Sequence, residues 1–160
     1  MSEVVIDTNV LRVANGRSDH ASMQCVANCA RRLQEALERD TVCADEEQEI
    51  FAEYRRHASM SGQPGPGDRF LQWFFRHIAS ERVRRHPTGG GPGVRERLPL
   101  EFSGMDRADA KFLSVYLGCG AEELLNATDS DWAELAPALD AYRVRVVERC
   151  GLRDQRRRSA

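Results

Sequence analysis

Apolar positions along the chain change period several times, and each change marks an element. Val4-Val5-Ile6 is a short unbroken apolar run closed by Asp7-Thr8-Asn9, the pattern of a strand buried on both faces and followed by a polar turn. Over residues 22–37, Met23, Val26, Ala27, Ala30, Leu33 and Leu37 recur at helical spacing against Arg31, Arg32 and Glu35, which predicts an amphipathic helix. Thr41-Val42-Cys43-Ala44 reads as a second strand, and residues 46–58 as a helix with Ile50, Tyr54 and Ala58 inward. Two Gly/Pro breaks, at 62–67 and 86–93, bracket a helix expected from Asp68, its cap, to about Arg84; Phe70, Trp73, Phe74, His77 and Ile78 are its core face. A helix over 106–117, a strand over 123–128, a short helix over 132–139 and a strand over 143–147 follow.

Strands alternating with helices throughout predict an α/β fold, a three-layer α/β/α arrangement around a central, mainly parallel sheet. The length of 160 residues fits one domain, placed at 1–150 with a Gly/Pro/Arg-rich insertion at about 62–100, followed by a basic tail at 151–160. Apolar residues at 41% can fill a core, and no run of eighteen apolar residues exists to cross a membrane. The start, MSEVVIDTNV, lacks the basic opening of a secretory signal, so a cytoplasmic setting is expected. Net charge is −2, and 22 of the 23 basic residues are arginine, with Lys111 the single lysine. Five cysteines at irregular spacing are read as reduced thiols; a zinc site on Cys25, Cys29 and His20 lacks a second ligand pair at finger spacing.

In an open parallel sheet, ligands gather beyond the carboxyl ends of the strands. Acids recur at such places: Asp7 after the first strand, Glu53 on the helix after the second, Asp109 on the first turn of the 106–117 helix, and Asp129 with Asp131 after the 123–128 strand. Brought together, these carboxylates would repel one another unless a cation neutralised them. Hard oxygen donors suit Mg²⁺ or Mn²⁺, ions that promote phosphodiester hydrolysis. The plain alternative is that most of the 25 acids face water, with Glu46, Glu47 and Glu49 serving a helix start and Asp106 a cap. An aspartyl-phosphate enzyme would want a second Asp where Asn9 stands, and a receiver domain an early acidic pair; neither pattern is met.

Val4-Val5-Ile6-Asp7-Thr8-Asn9-Val10-Leu11 resembles the opening of the PIN-domain ribonucleases. Ile50-Phe51-Ala52-Glu53-Tyr54, the stretch from Asp106 to Leu113, and Ala127-Thr128-Asp129-Ser130-Asp131-Trp132 are similar to the family's next three acidic segments, in order. The resemblance implies a metal-dependent endoribonuclease leaving a 3′-hydroxyl and a 5′-phosphate. In it Asp7, Glu53, Asp109 and Asp129 would hold one or two Mg²⁺ or Mn²⁺ ions with Asp131 as auxiliary; Thr8 and Thr128 match its small polar residues beside the metal and Asn9 its commonly polar third position, and all three would meet the substrate. RNA is the partner it implies. It admits a cognate antitoxin or regulatory protein and a homodimer, and a toxin or defence role; no membrane partner is expected. A PIN-like module that binds RNA or protein without cutting is the alternative from another class.

Seven arginines lie between 69 and 97 against Glu81 and Glu96, a local balance of +5. Arg82, Arg84 and Arg85 are accordingly candidates for a phosphate-binding margin, the other reading being the solvated back of a helix.

Overall fold

A computed structural model describes residues 2–87 and 93–150. The expected basic tail and part of the second Gly/Pro break lie outside the described residues. The elements run β1 (Glu3–Ile6), α1 (Thr8–Ala14), α2 (Met23–Arg39), β2 (Thr41–Asp45), α3 (Glu49–His57), α4 (Pro66–His77), β3 (Val83–His86), α5 (Val94–Arg97), a 3₁₀ turn at Leu100–Phe102, α6 (Arg107–Cys119), β4 (Glu123–Asn126), α7 (Asp131–Glu134), α8 (Ala136–Ala141) and β5 (Val146–Glu148).

The five strands form one all-parallel sheet in the order β3-β2-β1-β4-β5. The registers Val4↔Val42, Val5↔Leu124, Val42↔Val83 and Leu124↔Val146 stack β-branched and leucine side chains across it. Val4, Val5, Ile6, Leu124 and Leu125 are fully buried, as unbroken apolar runs require when helices cover both faces. Helix α6 lies along β1, β2 and β3, whereas α1, α2 and α4 pack on one another. The fold is thus the expected α/β class. Strands β2 and β3 build outward from one side of β1, and β4 and β5 from the other. Strand order therefore reverses between β1 and β4, which fixes where a ligand site would open.

Local chemistry sets the helix ends. Ser22 Oγ accepts from Cys25 N–H at 3.1 Å to start α2, and the Asp106 side chain accepts from Ala108 N–H at 2.8 Å to start α6. Helix α6 stops at Gly120, whose φ of +66° is the left-handed turn that glycine adopts without a steric cost. Phe70 and Phe74 are fully buried and Trp73 nearly so, which makes the aromatic face of α4 core.

Several elements differ from their sequence expectation. The polar segment after Ile6 is the first turn of a helix, since Asp7 caps α1. The helix expected to reach Arg84 ends at His77, and Val83–His86 is the edge strand β3; a four-residue strand with two arginines carries too little periodicity to be separated from a helix. Asp68 lies inside the first turn of α4, where it accepts from Gly65 N–H at 3.0 Å and Ser59 N–H at 2.7 Å. The helix expected over 132–139 is two short ones, with Pro137 in the first turn of the second.

Cys25 and Cys150 are joined as a disulfide, with Cα atoms 4.7 Å apart, contrary to the expectation of five thiols. Cys29 lies against the pair, the three sulfurs within 4.8 Å of one another, and exposed His20 is not among them. Cys43 and Cys119 are buried free thiols.

Gly67 marks the closest approach of α4 to α1. A methyl group there would come within 2.4 Å of the Leu11 carbonyl oxygen, a backbone atom that has no rotamer to retreat into. Gly67→Ala is expected to destabilise the fold by about 2 kcal/mol or more. Urea titration checks this, and a midpoint equal to wild type would show that the helices shift freely.

Candidate metal centre

Three aspartates arrive at the switch point, each on a different support. Asp7 N–H donates to Leu125 O at 3.0 Å, so the chain leaving β1 is tied to β4 as the carboxylate emerges. Asp109 stands on the first turn of α6, and Asp129 follows β4. Carboxylate oxygens of Asp7, Asp109 and Asp129 all lie within 4.8 Å of one another. They line a cleft of about 270 Å³ together with Thr8, Asn9, Arg12, Glu53, His57 and Thr128.

Asp7 is 5% exposed and Asp109 8%. Burial is the main cause that raises the Asp7 carboxyl to about 7; the negative charges of Asp129 and Glu53 add to it, against hydrogen bonds from Trp132 and Asn9. Burial likewise pushes Asp109 up to about 8, reinforced by Asp7 and Asp129. Asp129 is raised by burial first and by Asp131 and Asp106 after it. With Asp7 and Asp109 holding their protons near neutrality and Asp129 shifted in the same direction, the cluster is short of positive charge. The donor set is oxygen throughout, the kind that a hard divalent cation takes.

Asp7 is held from two sides. Its Oδ2 accepts from the buried Trp132 Nε1–H at 2.8 Å, and its Oδ1 accepts from Asn9 N–H at 3.4 Å. Asn9 itself faces inward: its Nδ2 donates to Asn126 Oδ1 at 2.7 Å and its Oδ1 accepts from Ala127 N–H at 3.0 Å. The fully buried Asn126 then donates through Nδ2 to Asp129 O at 2.7 Å and to Glu148 Oε2 at 2.6 Å. Asn9, expected beside a substrate, thus has its amide committed to joining the chain after β1 to the chain after β4. Trp132 and Asn126 escaped the sequence reading, although a lone amide ending the apolar run Leu124-Leu125 is the signal that marks Asn126.

Glu53 lines the same cleft, yet both its oxygens are engaged. Oε1 accepts from Lys111 Nζ at 2.9 Å, and Oε2 accepts from the Thr8 hydroxyl. It does not join the three clustered aspartates within 4.8 Å. Thr8 is correspondingly turned to Glu53, while Thr128 lines the cleft. Asp131 is exposed; its backbone N–H donates to Asp129 Oδ1 at 2.9 Å, and its own carboxylate is outside the three-acid set.

The arginines correct the expected margin. Arg82 precedes β3, at the opposite edge of the sheet from the acids. Its guanidinium donates to Leu37 O at 2.8 Å and to Asp40 O at 3.0 Å, closing the C-terminus of α2, and lies 5.2 Å over the Trp73 ring. Arg84 pairs with Glu3 at 2.5 Å, at the start of β1. Arg85 is exposed on the edge strand. The cations around the cleft are others: Arg12 in its wall, beside His57, and Arg56 and Arg107 in an adjoining hollow whose lining includes Glu53 and Lys111. Partial burial and the Arg12 charge both lower the His57 pKa.

Compared with protein-family models, curated proteins and solved structures, the chain has no match.

Proposed function

We propose that the protein is a metal-dependent endoribonuclease of PIN-like design. The observation that carries this reading is the meeting of Asp7, Asp109 and Asp129 at the strand-order switch, each carboxyl pushed upward by burial first and by its acidic neighbours after it. These three would hold one Mg²⁺ or Mn²⁺ ion, whose chemistry is to stabilise charge on a phosphodiester and to acidify water. Trp132 and Asn126 keep the acids aimed: the indole N–H fixes one oxygen of Asp7, and the Asn126 amide fixes the backbone at Asp129. Arg12 and His57 flank the cleft, where an anionic strand would need a donor on its phosphate. The setting that goes with RNA as substrate is the cytoplasm, where the state of the Cys25–Cys150 pair is set by the cellular thiol pool. A toxin with a cognate antitoxin and a defence nuclease share this chemistry.

Cleavage of single-stranded RNA should require Mg²⁺ or Mn²⁺ and stop with chelator. Absence of cleavage alongside Mn²⁺ binding would instead favour a PIN-like module that binds without cutting. Failure to bind either ion would reject the metal centre itself.

The rim makes a separate prediction. Replacing Arg12 and Arg56 together by Gln should weaken RNA binding and flatten its log–log salt dependence by about 1.4, at ~0.7 for each lost single-strand phosphate contact. Arg85→Gln, on the far edge strand, should leave the slope unchanged. Fluorescence anisotropy across a salt series separates the two; equal slopes for wild type and the double variant would remove Arg12 and Arg56 from the substrate path.

A further inference from the structure

We infer that Lys111 is a built-in cation of the acidic centre that keeps Glu53 out of the ligand set, so that the centre takes one divalent ion on its three aspartates rather than two across four acids. The inference rests on the metal-centre reading above and departs from the four-acid ligand set that the sequence resemblance implies.

The first ground is sequence economy. Every other basic residue of the chain is arginine, so a lone lysine stands against the chain's own bias. It is also buried, with 10% of its side chain exposed, opposite a Glu53 side chain that is 14% exposed. The second ground is geometry. Lys111 Nζ donates to Glu53 Oε1 at 2.9 Å and to Ala108 O, one turn back on α6, at 2.6 Å. With the Thr8 hydroxyl donating to Oε2, Glu53 has a partner on each oxygen. A compact ammonium fits between a carboxylate and the carbonyl of its own helix. A guanidinium, planar and with five donors in a fixed fork, would bring further N–H groups into the same buried space.

Mn²⁺ titration, followed by isothermal calorimetry and by the electron paramagnetic resonance of free Mn²⁺, tests this without reference to activity. Wild type should bind one ion per chain. Glu53→Gln, which retains an oxygen for Lys111, should leave that affinity within about threefold, far less than the 10–100-fold that even supporting residues of a metal site can cost. Lys111→Met should free Glu53 and add a second, weaker ion, and Lys111→Met/Glu53→Gln should lose it again. Two ions bound by wild type, a tenfold or larger loss in Glu53→Gln, or a folded Lys111→Met that still takes one ion would each overturn the inference. If Lys111→Met does not fold by circular dichroism, wild type and Glu53→Gln decide the matter. Absence of Mn²⁺ binding by wild type would reject the metal-centre reading and this inference with it; the other outcomes reject this inference alone.

Discussion

Asp109→Asn is expected to raise the melting temperature of the metal-free protein while abolishing its response to Mn²⁺ and the RNA cleavage proposed for it. The causes that raise Asp109 are burial and then the neighbouring acids, with no hydrogen bond opposing them, so its carboxylate contributes chiefly burial and repulsion. An amide of the same shape removes the charge that Asp7 and Asp129 oppose. The gain at neutral pH should be about 1–2 kcal/mol, or roughly 3–6 °C for a chain of this length. The stabilisation of wild type by excess Mn²⁺ follows mass action, about 2.7 kcal/mol at a hundredfold excess over Kd, and the variant should lose nearly all of it. Cleavage should fall by at least about a hundredfold, since Asp109 would hold the ion directly and even residues behind metal ligands are worth 10–100-fold. Scanning calorimetry with and without Mn²⁺, beside a cleavage assay, reads all three. A variant that melts lower under both conditions would make Asp109 a structural acid, and one that cleaves normally would remove it from the reaction.

The α/β class was legible because buried strands write themselves as unbroken apolar runs. Val4-Val5-Ile6 and Leu124-Leu125 are such runs, and both are wholly inside. Strand β3 was hidden for the opposite reason. It is an edge strand in which Val83 alone is buried, and its arginines extend the pattern of the preceding helix. Its misreading carried Arg82 and Arg84 toward a substrate margin, whereas parallel pairing with β2 brings both near the amino-terminal edge, away from the acids. A local charge balance contains no information about which end of a sheet a segment reaches.

The three aspartates were legible because each sits where a strand ends or a helix begins, a place that local sequence does encode. Their partners were not. Trp132 reads as a core aromatic, and it is one, yet its indole N–H reaches Asp7 across 125 residues of sequence. Lys111 reads as a helix residue on α6; only the fold brings it to Glu53 on α3. Long-range polar contacts of this kind leave no periodicity behind. What the sequence did offer was rarity: the single lysine pairs with Glu53 beside the centre, and the one amide ending an apolar strand holds the backbone at Asp129.

The stability of the metal-free protein should fall as pH rises from about 4 to about 8, and Mn²⁺ should reverse that trend. Asp7 and Asp109 titrate near 7 and near 8 in the folded chain against 3.8 for the ordinary group. Between those values the folded state binds more protons than the unfolded one, so stability decreases with pH. Their contribution is fully present below about pH 4 and is lost as pH passes through the folded values. Each pKa unit corresponds to 1.36 kcal/mol, and because the acids titrate as a coupled set the loss across the window should be on the order of 4 kcal/mol, not the sum of separate shifts. Mn²⁺ competes for the same oxygens, so its affinity should rise by up to about tenfold per pH unit for each proton displaced, levelling off above about pH 8. Melting curves at stepped pH, with and without Mn²⁺, measure both slopes. Calorimetry in buffers of different ionisation enthalpy counts the protons released. Asp109→Asn should flatten the metal-free slope, which separates the centre from every other titrating group in the chain. A metal-free stability that stayed level or rose across this window would mean that the three carboxylates are ionised in the folded chain without cost, and the charge repulsion on which the nuclease reading depends would disappear.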